Sequence, residues 1–205
     1  MDGYLKVSLG EMIKQLGEDR VKSILSSFSC ELNIDVEQFL KRTAIPLEKQ
    51  GVSKTMLVFT QVSGEQALIG YFTLANKFIA IDKAKISESL RKRVNKFCNS
   101  FYDPVSNSKI AFISAPLIGQ LGKNYTDGLN KQITGDELLK MACEQVARAQ
   151  ECIGGKIVYL ECEDKHKLIE FYKRNRFFQF GKRDLDADER DTLSGQHLIQ
   201  MLRYM

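Results

Sequence analysis

The most regular pattern of apolar and polar positions lies in the second half of the chain. Residues 135–150 carry apolar side chains at the spacing of one helix face: Leu138, Leu139, Ala142, Val146 and Ala149. This spacing predicts an amphipathic helix, which Gly154 and Gly155 would end. The continuous apolar run from Ile157 to Leu160 is typical of a strand buried on both faces.

Further elements are predicted on both sides of this helix and strand. Residues 109–122 form a long apolar run interrupted by Pro116, which indicates a strand with a bend. Residues 166–174 have helical spacing, and residues 177–180 and 197–204 have strand character. The succession of strand, helix, strand, helix and strands predicts an α/β fold with a locally parallel pair of strands.

The first half of the chain predicts shorter elements. Residues 55–61 and 67–75 are β-rich and flank Ser63-Gly64-Glu65, which indicates a hairpin. Helices are predicted from Ser8, which Glu11 follows at capping-box spacing, and over residues 35–44. Residues 28–32 are interpreted as a short strand.

Residues 83–96 form a basic segment that predicts an amphipathic helix. They contain one acid, Glu88, and six basic side chains: Lys83, Lys85, Arg91, Lys92, Arg93 and Lys96. Two interpretations stay open: a surface that faces phosphates or nucleic acid, and an ordinary solvated helix face. The second is favoured, because most charge runs on helices face solvent.

Composition narrows the class of protein. The chain has 205 residues and a net charge of +4, which allows an anionic partner but falls short of a nucleic-acid-binding footprint. The five cysteines include no C-x-x-C pair, which indicates reduced thiols. Because there are also only two histidines, no metal site is predicted. Since no signal peptide and no membrane span is evident, we expect a cytoplasmic protein.

A candidate anion site lies where the long helix begins. Thr134 and Glu137 have capping-box spacing, so this turn is predicted to be a helix N-terminus. The unpaired N–H groups and the positive dipole end of such a turn suit a pyrophosphate. Asp136 and Glu137 place negative charge in the same turn and would compete with a bound anion, so an ordinary capped helix is the alternative.

The order of elements from Lys109 to Phe180 resembles the second half of a GCN5-related N-acetyltransferase. In that family an apolar strand enters a Q/R-x-x-G-x-G/A loop, whose amides bind the pyrophosphate of acetyl-CoA. In this sequence, residues 118–123 are similar to that strand. Residues 130–135 stand at the loop, and among them only Gly135 matches the motif. The resemblance implies that the following residues bind acetyl-CoA as co-substrate: Leu121, Gly122, Lys123, Asn130, Lys131, Gln132, Ile133, Thr134 and Gly135.

The next segment carries the more specific likeness. Residues 155–162 and 167–177 resemble the fifth strand of the family and its A-x-x-x-Y-x-x-x-G-F helix, with Tyr172 at the tyrosine and Phe177 at the phenylalanine. Arg176 replaces the glycine, and Lys165 stands where many members have an asparagine that contacts the cofactor. The resemblance implies a mixed, twisted α/β sheet flanked by helices, in one domain over residues 1–205 with a basic insertion at about 83–108.

The resemblance also implies a direct-transfer mechanism. The acceptor amine would attack an acetyl thioester polarised by a backbone amide near Leu121, and Tyr172 would protonate the departing thiolate. Glu161 is the predicted general base, and Glu163 is the other candidate; either could instead be a solvent-facing acid at the strand end. Cys162 is interpreted as a buried strand cysteine, because no partner set of histidine and acid accompanies it.

The acceptor stays open between a small amine, a peptide or protein amine, and an aminoacyl-tRNA. Two functions of other classes are alternatives: a non-catalytic acyl-CoA-binding or regulatory domain, and a nucleic-acid-binding or tRNA-interacting module that uses the basic segment. A homodimer is also left open, and no membrane partner is predicted.

Overall fold

The computed structural model describes residues 3–105, 107–187, 190 and 195–205. Within these residues no helix is long and apolar enough to cross a membrane. The chain divides into two compact units, each built from two segments. The prediction of a single domain is not tested by this division and stays a prediction.

The described elements are mixed α and β, which confirms the predicted fold class. The strands are β1 (Leu5–Ser8), β2 (Lys54–Val62), β3 (Glu65–Asp82), β4 (Asn99–Asp103), β5 (Ser108–Lys123), β6 (Ile157–Glu163), β7 (Phe178–Asp184) and β8 (His197–Tyr204). The α-helices are α1 (Leu9–Leu16), α2 (Glu18–Ser26), α3 (Ile34–Gln38), α4 (Ala44–Lys49), α5 (Glu88–Val94), α6 (Gly135–Ile153) and α7 (His166–Arg174). A π-helix, Phe39–Thr43, joins α3 to α4, and a 3₁₀-helix, Thr126–Lys131, precedes α6.

Unit 1 comprises the chain up to Ala75 together with Ile118–Glu144. Its strands lie in the order β1, β2, β3, β5, and the first three pair antiparallel. Helices α1 to α4 pack their apolar side chains with strand residues into one core: Leu9, Met12, Val21, Leu25, Phe28, Cys30, Val36, Leu40, Ala44, Ile45, Leu57, Phe59, Leu68 and Tyr71. This core holds the end of β5 against α3.

Unit 2 comprises Asn76–Leu117 and Gln145–Met205. Its strands lie in the order β3, β5, β6, β8, β7, and β4 pairs with β5. A core on one sheet face includes Ile157, Tyr159, Phe180, Leu202 and, from the basic helix, Val94. Because side chains alternate along a strand, the even-numbered residues of β6 lie on the opposite face.

Most of the predicted elements are confirmed, with two corrections. The predicted strand at residues 28–32 is wrong, because this segment is a loop whose backbone is held by side chains. There the Ser29 N–H donates to Asn124 Oδ1 at 3.0 Å, and the Cys30 N–H donates to Glu37 Oε2 at 2.8 Å. The basic segment is helical only over Glu88–Val94, where the Ser87 hydroxyl caps it by accepting the Leu90 N–H.

Candidate functional site

The predicted N-terminus of α6 is formed as a complete capping box in unit 1. The Thr134 hydroxyl accepts the Glu137 N–H at 3.1 Å, and the Glu137 carboxylate accepts the Thr134 N–H at 2.8 Å. These hydrogen bonds hold the pKa of Glu137 below its ordinary value, so its side chain is ionised at neutral pH. The Leu138 N–H donates to the Thr134 carbonyl oxygen at 3.1 Å and begins the helical hydrogen bonds. A helix N-terminus of this kind suits an anion, but this turn already carries the Glu137 carboxylate.

Lys123, at the end of β5, supplies positive charge beside this turn. Its ammonium group donates to the carbonyl oxygens of Asn130 at 2.9 Å and Ile133 at 3.2 Å. An ammonium has three N–H donors, so one remains for a further acceptor. Lys123 therefore ties the loop to β5 and places a positive charge beside the residue that precedes Thr134.

The loop does without the glycines of the family motif because its backbone does not need them. No residue from Asn130 to Gly135 has a positive φ, so any side chain is tolerated there. The left-handed conformations lie earlier, at Asp127 and Gly128. Ile133, which replaces the first motif glycine, is 2% exposed and packs inside unit 1.

Gly122 has a packing role in this structure. A Cβ at Gly122 would lie 2.4 Å from Val36 Cγ1, 3.0 Å from the Tyr71 ring and 3.2 Å from Phe28. Only a glycine allows α3 and the loop before it to approach β5 so closely. Leu121 is half-buried and, by strand alternation, lies on the face of β5 opposite Gly122 and on the same face as Lys123.

Tyr172 lies on α7 in unit 2, inside an aromatic cluster. Its ring centroid is 4.9 Å from that of Phe171 and 5.9 Å from that of Phe177, both edge to face. Burial, and to a smaller extent the nearby Cys162, raises the pKa of its phenol well above the ordinary value. The phenol is therefore protonated at neutral pH, and the same burial makes it a weaker acid than an exposed tyrosine.

Both carboxylate oxygens of Glu161, the predicted general base, accept hydrogen bonds from neighbouring side chains. Its carboxylate accepts Arg183 Nε at 2.8 Å and Gln200 Nε2 at 2.8 Å, so each oxygen already has a partner. It also lies on the face of β6 opposite Cys162, the residue next to Tyr172. The structure does not bring the two predicted catalytic side chains to one face of unit 2.

The two residues that follow Glu161, Cys162 and Glu163, are both buried. Glu163 is buried and pairs with Lys165 at 2.8 Å, and Lys165 is the residue that stands at the family's asparagine. Burial raises the pKa of the Cys162 thiol to about 12, so the thiol is protonated and unreactive at neutral pH.

One polar pair was missed by the sequence interpretation. Gln120 Nε2 on β5 donates to Asp35 Oδ2 on α3 at 2.9 Å. The two residues are 85 positions apart, and neither belongs to a recognisable motif. The pair lies in unit 1, next to Leu121.

The basic surface of α5 is partly used inside unit 2. The Arg93 guanidinium lies 5.4 Å from the Tyr204 ring centroid, and Lys92 forms an exposed ion pair with Glu88 at 2.9 Å. Exposed pairs contribute little, so the charges of Arg91 and Lys92 remain directed to solvent. This placement is compatible with both interpretations of the basic segment.

Comparison with solved structures supports the mixed α/β fold predicted from the sequence. No protein-family model matches the chain, and no curated protein is significantly similar to it in sequence. The solved structures that match include a crystal structure of a KacT mutant in which phenylalanine replaces a tyrosine, at 14% identity and a TM-score of 0.62, covering 97% of this chain and 94% of that chain.

Two AtaT structures match with ligands bound. AtaT complexed with acetyl-methionyl-tRNA is 16% identical, with a TM-score of 0.61 over 96% of this chain and 93% of that chain. AtaTR bound with acetyl-CoA is 16% identical, with a TM-score of 0.56 over 100% of this chain and 94% of that chain. The chain has the fold of the GCN5-related N-acetyltransferases.

Proposed function

We propose that this protein is an N-acetyltransferase that uses acetyl-CoA as its co-substrate. The observation that carries the proposal is the first turn of α6, a capped helix N-terminus that lies beside the Lys123 ammonium in a chain with the N-acetyltransferase fold. The AtaTR structure with acetyl-CoA supports the choice of co-substrate.

The residues of the α6 turn fit a pyrophosphate. The amides after Thr134 would bind phosphate oxygens, and the third donor of Lys123 would add a charge-assisted hydrogen bond. Acetyl-CoA, when bound, supplies the thioester that an amine attacks. The backbone N–H near Leu121 would polarise the carbonyl, and the Tyr172 phenol would give its proton to the departing sulfur.

For the acceptor we propose the α-amine of an aminoacyl-tRNA. AtaT has been solved with acetyl-methionyl-tRNA, and α5 of this chain directs Arg91 and Lys92 to solvent, where they can meet a phosphate backbone. A small amine or a protein amine would not need this surface. The acceptor is therefore tested first with methionyl-tRNA, followed by spermidine and an unblocked peptide.

The first experiment is a calorimetric titration of the protein with acetyl-CoA, with ATP as the control anion. We expect specific binding of acetyl-CoA, weakened about tenfold by Lys123→Met, since a charge-assisted hydrogen bond is lost. The thermal unfolding midpoint of this variant is compared with that of the wild type, because Lys123 also holds the loop. Binding of neither nucleotide would overturn the proposal.

A non-catalytic acyl-CoA-binding domain is the second candidate. The hydrogen bonds to both oxygens of Glu161 favour it, because they engage the carboxylate that the sequence suggested as general base. This candidate predicts acetyl-CoA binding without transfer to any amine of the panel. Labelled acetate on methionyl-tRNA would exclude it.

A further inference from the structure

Three phenylalanine rings on neighbouring strands of unit 2 contact one another in a row. The ring centroid of Phe112, on β5, lies 5.1 Å from that of Phe101 on β4, and the two rings are stacked at an angle of 16°. It also lies 5.5 Å from the ring centroid of Phe78 on β3. Strands β3 and β4 each pair with β5, so the row crosses three strands. These three rings are called the aromatic face below.

The aromatic face lies on the side of the sheet opposite the core of unit 2. That core takes Ile79 from β3 and Ile113 from β5. Because side chains alternate along a strand, Phe78 and Phe112 point away from it. Phe101 shares their side of the sheet, since its cross-strand partner on β5 lies two residues from Phe112.

The rings of the aromatic face are accessible to a ligand. Phe78 is 65% exposed and Phe101 is 48% exposed, and Phe112, which contacts both, is half-buried. Single exposed apolar side chains are ordinary on a protein surface, whereas a contiguous exposed patch marks an interaction site. The three rings therefore form a surface for a partner and not a part of the core.

The segment that carries the aromatic face also carries the positive charge of the chain. Residues 76–117 contain eight basic and three acidic side chains, a net charge of +5, whereas the whole chain has a net charge of +4. Two exposed cations lie close to the rings in sequence: Lys77 precedes Phe78, and Lys109 precedes the strand residues that pair with Phe101. Among the described residues, neither lysine forms an ion pair, so both are available to an anion.

Exposed rings in a basic segment favour a single-stranded nucleic acid as the partner. Every base has a π-face that stacks on an aromatic ring, and the phosphates complement the positive charge. Sheets that bind RNA use the same arrangement, in which aromatic side chains of neighbouring strands stack about two or three unpaired bases. A second copy of this chain would bring together two segments of net charge +5, which opposes a dimer through this face.

We propose that Phe78, Phe112 and Phe101 bind unpaired bases of RNA by stacking, while cations of residues 76–117 contact its phosphates. The inference goes beyond the proposed function, because it assigns a binding surface to side chains that the transfer step does not use. The choice of RNA over DNA rests on the proposed function, in which the acceptor is a tRNA. The unpaired segments of that tRNA are one source of bases, and an RNA that is not acetylated is the other.

The test measures binding of a labelled, single-stranded oligoribonucleotide of about twelve nucleotides to the full-length protein by fluorescence anisotropy. The double variant Phe78→Leu with Phe101→Leu keeps apolar side chains and removes two rings. We expect its affinity to fall at least about tenfold, since each stacked base contributes a factor of about five or more. Phe78→Tyr with Phe101→Tyr keeps both rings and should bind as tightly as the wild type. Competition by unlabelled methionyl-tRNA distinguishes the two sources of bases.

Three controls separate stacking from charge and from a general loss of aromatic surface. Phe178→Leu removes a ring of β7 that is 52% exposed in the same unit, and it should leave the affinity unchanged. The wild type and the double leucine variant should bind a duplex of the same strand equally, because its bases already stack on each other. Both should also weaken in parallel as salt is raised, because stacking releases no counter-ions.

Equal affinity of the wild type and the double leucine variant for the single strand would overturn the inference, and so would an equal loss with the duplex. A wild-type dimer that the leucine variant dissociates, seen by sedimentation, would also overturn it and make the aromatic face a contact between two copies. None of these measurements uses acetyl-CoA, so they test the aromatic face whether or not transfer occurs. Acetylation of none of the tested amines, with RNA binding intact, would instead overturn the proposed function alone.

Discussion

The carboxylate of Glu137 and the hydroxyl of Thr134 accept each other's backbone N–H groups, at 2.8 and 3.1 Å, and so close the first turn of α6. This arrangement stabilises the helix start but puts a negative charge where a pyrophosphate would bind. The two effects can be separated, because glutamine also completes a capping box without the charge.

We therefore expect Glu137→Gln to raise the affinity for acetyl-CoA roughly two- to fivefold, the usual effect of one charge at a helix N-terminus. Calorimetric titration measures this change. Glu151→Gln, near the other end of the same helix, removes the same charge and should leave the affinity unaltered. Equal or weaker binding by Glu137→Gln would show that the phosphates bind elsewhere.

The phenol of Tyr172 is the second target. We expect Tyr172→Phe to lower kcat about 10²- to 10⁴-fold, the usual range for general-acid assistance, while acetyl-CoA affinity is retained. Because burial raises the phenol pKa, the acid form persists through the ordinary tyrosine pKa of 10.0, and the wild-type rate should not fall there through loss of this proton. Steady-state assays of both proteins from neutral pH to about pH 10 measure the loss of kcat and the pH dependence of the wild-type rate.

Tyr159→Phe is the matched control for this prediction. Tyr159 is also buried, and burial raises its pKa to about 12, but it lies on the face of β6 opposite Cys162. Its replacement should leave kcat unchanged. If both variants retain full activity, Tyr172 is a core aromatic and not the acid.

Glu161 is expected to act in stability and not in catalysis. Glu161→Gln removes the ion pair with Arg183, which keeps its ion pair with Asp186 at 3.3 Å, so we expect the free energy of unfolding to fall by about 1 kcal/mol. Turnover should change less than about threefold, because a group with both oxygens occupied has little capacity to accept a substrate proton. Chemical denaturation and steady-state kinetics on the same preparation give both values.

A large loss of turnover with normal stability would restore Glu161 as the general base.

These residues show which features a sequence can predict. The capping box of Thr134 and Glu137 was predictable because both partners lie within one helical turn. The pairs Asp35–Gln120 and Glu161–Arg183 were not, because strand order brings together residues that are 85 and 22 positions apart. The segment from residue 28 was mistaken for a strand because its apolar side chains do pack in the core, while its backbone bonds to Asn124 and Glu37.

The basic helix α5 decides between a solvated face and a tRNA-binding surface. We expect Arg91→Gln with Lys92→Gln to weaken methionyl-tRNA binding and to reduce the slope of log affinity against log salt by about two, one for each lost phosphate contact. Acetyl-CoA affinity should not change, because these side chains are directed to solvent. Filter binding over a salt series measures the slope.

The matched control replaces Lys14 and Arg20, two exposed basic side chains of α1 and α2, with glutamine. It removes the same net charge from a different surface, so a general electrostatic effect would appear equally in both double variants. A slope that falls only in the α5 variant places tRNA phosphates on that helix. Identical slopes would identify α5 as a solvated face, and the acceptor would then be sought among small amines and peptides.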